Sequence, residues 1–352
     1  MSDNRTGRLQ PRPIYKLVVN GKDITSTVDN RLALLTLTDN RGFEADQLDL
    51  VLHDHDGRLA IPPLKASIQV WLGWADSGLI DKGTYTVDEV EHSGTPDQLT
   101  IRARSADLCD GLLMQRERSF HGKSLGDIVR QVATVAKVKP IVSDTLARVV
   151  VEHIDQTGES DASFLTRLAQ TYDAIATIKA GRLLFMPTGA GTTASGKPLP
   201  PVTITRQSGD SHRHSVANRD NYSGVRATYQ NTKKGQKGEV IVGEKNNLKT
   251  LRHVYASQKT AEHAAKASWN RIQRGVASFS ITLALGRPEL IPEVPATVQG
   301  FKAEIDGGKW LLAKATHTLD GNGLGTALEL EVKLLEDRTC RWWEAQPVRC
   351  AD

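Results

Sequence analysis

Cysteine is scarce in this chain: three residues, Cys109, Cys340 and Cys350, among 352. They cannot close a disulfide framework, and no two have the spacing of a zinc knuckle, so a small stapled fold is excluded and all three read as free thiols. Long apolar runs are missing too. No stretch approaches the roughly 18 residues of a membrane span, and Met1 to Thr6 lacks the apolar core of a signal peptide. These absences predict a chain without a membrane anchor that folds in the cytoplasm. Charge of one sign is also lacking, since the net charge is only +4. That is too little to make electrostatic capture of nucleic acid the default reading. The balance is uneven, however: Arg206 to Arg252 carries ten Lys and Arg against four acidic residues.

What the chain does have is length enough for two or three domains of roughly 150 residues, and the composition of a folded protein, with 24% charged and 39% hydrophobic residues. Ile14–Val19 alternates in β fashion and meets Asn20-Gly21, a hairpin turn signal. Further short strands follow at 31–38, 47–53, 67–73, 84–91 and 98–104, and the first ~110 residues read as an antiparallel barrel or sandwich. At Ser119 the pattern changes. Ser124 and Asp127 have the spacing of a helix N-terminus ahead of Leu125, Ile128, Val129, Val132 and Val135. Ser160 caps a second helix through Tyr172, and strands at 174–178 and 182–186 follow. Gly189 to Pro201 is rich in Gly, Thr, Ser and Pro and predicts a linker or flexible exposed loop. Strands then return at 202–206 and 223–229, followed by one helix from about Ser257 to Arg274 ending at Gly275 and by strands to Leu335.

An internal repeat relates the two β regions. Leu48, Leu50 and Leu52 alternate ahead of Gly57-Arg58-Leu59-Ala60-Ile61-Pro62, and the next strand ends at Gly73. Phe279, Ile281, Leu283 and Leu285 alternate ahead of Gly286-Arg287-Pro288-Glu289-Leu290-Ile291-Pro292, and the next strand ends at Gly300. Gly83, Tyr85 and His92 match Gly308, Trp310 and His317 at one common offset. Two copies of a β module in one chain have a purpose if the modules stand side by side in a ring.

Motifs for chemistry fall short. Gly191, Gly196 and Lys197 fit part of a phosphate loop, but Pro198 replaces the hydroxyl residue and Pro-Leu-Pro-Pro cannot continue as the required helix. His53-Asp54-His55-Asp56 and His212-Arg213-His214 offer ligands of the right kind for zinc or iron without a third and fourth at a recognisable spacing, and a polar turn is the plainer reading. The recurrence of His92 and His317 favours a structural hydrogen bond over catalysis. Glu44, Asp46, Asp49, Asp88 and Glu89 could supply a glycosidase pair only if folding brings two together. The basic stretch with Tyr222 and Tyr229 reads as a solvated loop or a surface for an acidic partner rather than a nucleic-acid site. No residue is assigned a catalytic, cofactor-binding or metal-binding role, and neither an enzyme activity nor a cofactor is expected. A metal-dependent hydrolase using His53 and His55 stands as a minor alternative.

The chain resembles the late control gene D family of contractile-tailed phages, baseplate hub proteins akin to the valine-glycine repeat hubs of type VI secretion. The residues that carry this in the first module are Asp46-Gln47-Leu48, Leu72-Gly73 and Gly83-Thr84-Tyr85. In the middle they are Arg118-Ser119-Phe120, Leu125, Glu159 to Leu165, Arg167-Leu168-Ala169 and Gly181-Arg182-Leu183, and in the second module Pro288, Leu290, Pro292, Gly300-Phe301, Trp310, His317 and Thr326 to Leu330. The resemblance implies a homotrimer that adapts a sixfold tail tube to a threefold trimeric spike in the virion. Its further partners would be other baseplate proteins and the tape measure protein, with DNA only as transiting cargo and assembly in the host bacterial cytoplasm. A hub that also degrades peptidoglycan is the alternative. The expected fold is mainly β with an α+β insertion: two similar tube-type β-barrel modules flanking a small α+β domain. The expected divisions are an arm at 1–13, a first module at 14–118, the α+β domain at 119–187, a linker at 188–201, a second module with a helical insertion at 202–337, and a tail at 338–352.

Overall fold

The computed structural model describes residues 11–105, 110–179, 181–193, 195–216, 222–231 and 235–334. Most of the 1–13 arm, the 338–352 tail and all three cysteines lie outside the described residues. Strand takes up 53% of the described residues and helix 19%, so the class is mainly β.

The first module is β1 (Pro13–Val19), β2 (Lys22–Asp23), β3 (Leu32–Asp39), β4 (Gln47–His53), β5 (Ser67–Trp74), β6 (Gly78–Ser93) and β7 (Gln98–Ser105). Asn20 and Gly21 both take positive φ, 48° and 80°, as the β1–β2 turn requires. Alternation does the rest. Leu35, Leu37, Leu48, Leu50, Leu52, Tyr85 and Val87 point to one face and form a core.

The middle unit holds β8 (Gln115–Ser124), β9 (Lys139–Val142), β10 (Val150–Ser160), β11 (Ala174–Lys179) and β12 (Arg182–Pro187), with helices Leu125–Ala136 and Asp161–Thr171. Ser124 Oγ accepts the Asp127 N–H and Ser160 Oγ the Ser163 N–H, satisfying donors that the first helical turn leaves free. The expected boundary at 118 falls inside β8, whose pairing with β10 ties the whole strand to this unit. In the segment at 188–201 the Gly189 N–H donates to Glu293 Oε2 at 2.7 Å, and the Leu199 N–H donates back to the Gly191 carbonyl.

The last part comprises β13 (Val202–Thr205), β14 (Gly209–Val216), β15 (Gly224–Asn231), β16 (Gln236–Gly243), β17 (Leu248–Tyr255), the Gln258–Arg274 helix, β18 (Ala277–Leu283), β19 (Pro295–Gln299), β20 (Trp310–Asp320) and β21 (Gly323–Val332). The basic stretch, expected to be a solvated loop or a surface for an acidic partner apart from a strand at 223–229, is largely strand among the described residues. β16, β15 and β17 form a separate sheet whose Val225 and Ala227 pack on Ala261 and Ala265 of the helix. The insertion is therefore a second α+β unit, and its helix lies against the middle unit, with Asn270 and Arg274 both reaching Asp173.

The two modules repeat each other strand for strand. The first runs β3-β4-β7-β6-β5-β1 and the second β14-β18-β21-β20-β19-β13. Each carries a bulge at the same place in its long hairpin, between Val87 and Glu89 and between Leu312 and Lys314. They differ where β1 pairs antiparallel with β5 but β13 runs parallel with β19. Among the described residues neither closes on itself as a barrel. Instead β3 pairs with β20 and the modules continue into one 13-stranded sheet.

Candidate functional site

Most of the residues that sequence reasoning singled out for chemistry do not gather; the exception is Asp49, whose carboxyl is raised by burial and by the nearby Asp88 and Glu89 against the pull of Arg102. Lys197 is exposed in a turn where the Thr193 N–H donates to its carbonyl, and the chain runs on to β13, not to a helix. His53 ends β4 and His55 sits in the following turn, while the neighbouring Asp54 and Asp56 face Arg31. His212 packs on Phe279 and Phe301, and His214 on Trp310. Asp88 pairs with Arg104 and Glu89 with Arg102. Asp46 is bound by Lys179 of the middle unit; burial raises its carboxyl, and the lysine works against that. Among the described residues no three His, Cys, Asp or Glu side chains form a metal-binding group. Tyr229 lies on β15 against the inserted helix, and Tyr222 beneath Lys249.

What folding does bring together is the joint between the modules. Six residues of β20, Ala315 to Asp320, pair antiparallel with Asp39 to Leu34 of β3. Leu319 and Leu324, from the tip of the β20–β21 hairpin, enter the core of the first module. Trp74 Nε1 donates to Gly286 O at 2.8 Å across the joint.

A buried charged cluster lies in the same seam. Lys82 Nζ stands 2.6 Å from Asp39 Oδ2, 3.0 Å from Pro288 O and 3.2 Å from His317 Nε2. With an unprotonated Nε2 these three contacts match the three N–H of the ammonium. His317 Nδ1 faces Thr326 Oγ1 at 2.9 Å. Burial would raise the Asp39 carboxyl, but the Lys82 ammonium beside it holds it below its ordinary value. Burial, aided by the Lys82 charge, pushes the His317 imidazole down against the pull of Asp39. His92, its repeat partner, is half-exposed near Asp54. Lys82 and Asp39 were not visible as a site in the sequence, because two of their contacts come from the other module.

A cleft of about 390 Å³ opens beside this joint, lined by Arg41, Asp173, Arg274 and Glu331. Arg41 meets Glu293 at 2.7 Å and Glu331 at 2.6 Å, and Arg274 pairs with Asp173. These four charges are thus matched with one another and with Glu293, while Arg271 on the same lining reaches the Gln170 carbonyl, and the cleft is a seam between units.

The neutral His317 has a pH signature. An imidazole whose folded pKa is lowered contributes stability that is fully present above its unfolded value near 6.5 and declines as pH falls below it, because the unfolded chain takes up the proton first. His317→Gln should remove up to about 1.4 kcal/mol per pH unit of that slope. Urea midpoints at pH 7.5 and 5.5 test this, and equal slopes for parent and variant would refute it.

Comparison with known proteins follows the same geometry. A model of the family described as Phage tail baseplate hub (GPD) matches residues 48–323. A protein of Escherichia phage 186 named probable baseplate hub protein is 46% identical over 363 residues, covering 92% of this chain and 93% of the relative. The crystal structure of a tail protein from Neisseria meningitidis superposes with a TM-score of 0.67 at 16% identity, over 91% of this chain and 96% of that one. An E. coli component of the type VI secretion system superposes at 0.53 and 12% identity, over 94% and 76%.

Proposed function

Because the chain belongs to the phage tail baseplate hub (GPD) family, we propose that it is a structural, non-enzymatic hub, three copies of which close a ring that presents six β modules to the end of a tail tube. One observation carries this reading. Within a single chain, two modules of the same strand order are already joined edge to edge through β3 and β20. The corresponding strand edges at the far ends, on β14 and on the last residues of β6, have no partner strand among the described residues. A head-to-tail joint that repeats by rotation closes a ring when the rotation divides the circle. Three chains then supply six modules to a sixfold tube, while the middle unit, one per chain, keeps threefold symmetry and suits a trimeric spike. The ring would line the channel through which DNA leaves, among other baseplate proteins and the tape measure protein, in a virion assembled in the host bacterial cytoplasm. A peptidoglycan hydrolase gains no support from Asp46, Asp88 and Glu89, each engaged in an ion pair.

Light scattering on the purified protein and images of assembled particles test the arrangement. Three copies with modules alternating around a channel are expected. A single copy per particle, or a ring of six whole chains, would overturn it.

A further inference from the structure

We propose that β14 of one chain pairs antiparallel with the far end of β6 in a second copy, Val90 opposite Val216, Glu91 opposite Ser215, His92 opposite His214 and Ser93 opposite Arg213. The proposal rests on the ring reading and goes further by naming the two edges and their register.

The register follows from the repeat and the joint already formed inside the chain. β19 meets β20 only at Trp310 and Leu311, which leaves Ala315 to Asp320 free to take β3. In the first module β5 likewise reaches only Thr86, and Val87 bonds to Lys65 and Ala66, so Asp88 to Ser93 keep an open edge among the described residues. The matching bulges align Val87 with Leu312 and Glu89 with Lys314, which sets Val90 beside Ala315 and His92 beside His317. On the other edge, Leu37 opposes Leu48 on β4 as His214 opposes Phe279 on β18. β3 and β14 therefore hold the same place, and Asp39 corresponds to Val216. Transferring the pairs Ala315 with Asp39, Thr316 with Thr38 and His317 with Leu37 gives the proposed register.

The chemistry of the two edges agrees with it. Val216 is 62% exposed, and opposite Val90 it would be covered by another apolar side chain. His214 Nε2 is shielded from solvent yet has no hydrogen-bond partner among the described residues, and the register sets it opposite a second imidazole. Near the joint the β6 end carries Glu91 and β14 carries Arg213. Glu91 and Arg213 would fall on one face as diagonal neighbours, within reach for side chains of their length. An open edge of this kind is a template for another strand.

Paired cysteines test the register. In a background with Cys109, Cys340 and Cys350 changed to Ser, verified by light scattering to keep the parent's copy number, Glu91→Cys with Ser215→Cys is oxidised in purified protein and in assembled particles. Covalent trimers on a non-reducing gel are expected. The control pair Glu91→Cys with Arg213→Cys, two residues out of register, should cross-link at least tenfold less. Three copies with no cross-link, or with the control pair reacting as well, would overturn the proposed edge while leaving the ring intact. One copy by both light scattering and imaging would instead overturn the ring reading and this proposal with it.

Discussion

Replacing Trp310 with alanine should destabilise the second β module by about 3–5 kcal/mol. The indole is 1% exposed at the start of β20, and its ring centroid lies 5.6 Å from Phe279 and 5.9 Å from His214. Nε1 donates to Ile305 O at 3.0 Å. Truncation therefore removes the largest side chain of this core, opens a cavity and leaves a carbonyl without its donor. Gly308 belongs to the same arrangement, since a Cβ there would stand 2.7 Å from Nε1. Trp310→Phe keeps most of the volume and should cost roughly 1–2 kcal/mol, the lost hydrogen bond and part of the packing. A chain with four separate cores need not unfold in one step, so hydrogen exchange of β20 and β21 amides is the sharper readout. Amides that exchange at the parent's rate in Trp310→Ala would refute the assignment. Tyr85, at the equivalent point of the first module, is also 1% exposed.

The equivalence of Tyr85 and Trp310 was legible in the sequence because a glycine before a buried ring and a histidine after it recur at one spacing. The helix starts at Ser124, Ser160 and Ser257 were legible for a different reason, since a capping hydroxyl acts within three residues and leaves a local signature. β8 and β10 left no such signature. Both are largely exposed, as in Gln115–Ser124, where Phe120 alone is fully buried, so neither has the apolar alternation that marks a strand. Of the 224–255 sheet only the strand at 223–229 was legible, and the other two were hidden in the same way. Its charged, Gly-rich strands satisfy their backbone against each other and rest on an alanine-lined helix, which lets polar sequence fold without an apolar run. The joint was least legible of all. Strand order and edge pairing arise between residues hundreds of positions apart, and one sequence carries no record of which edges meet.

The seam cluster predicts the other large effect, and its form distinguishes a structural lock from a loose contact. Lys82→Met should cost about 3–5 kcal/mol because it leaves the Asp39 carboxylate buried without its cation. Asp39→Leu should cost a similar amount by stranding the ammonium. The double variant, Lys82→Met with Asp39→Leu, should be more stable than either single change, because an apolar pair of similar volume removes both desolvation penalties. Costs that simply add would refute the lock. The consequence reaches beyond one chain. At the proposed joint between chains the positions corresponding to Lys82 and Asp39 are Gly307 and Val216, so no such cluster can form there. Joints within and between chains would then alternate around the ring, the first held by a buried ion pair and the second by backbone pairing and exposed charges that salt screens. Raising ionic strength should therefore release whole chains from the ring while the two modules of each chain stay joined. Light scattering against salt, with hydrogen exchange at β3 and β20 as the internal control, reads this directly. Loss of β3 and β20 protection before the chains separate would invert the order of the two joints.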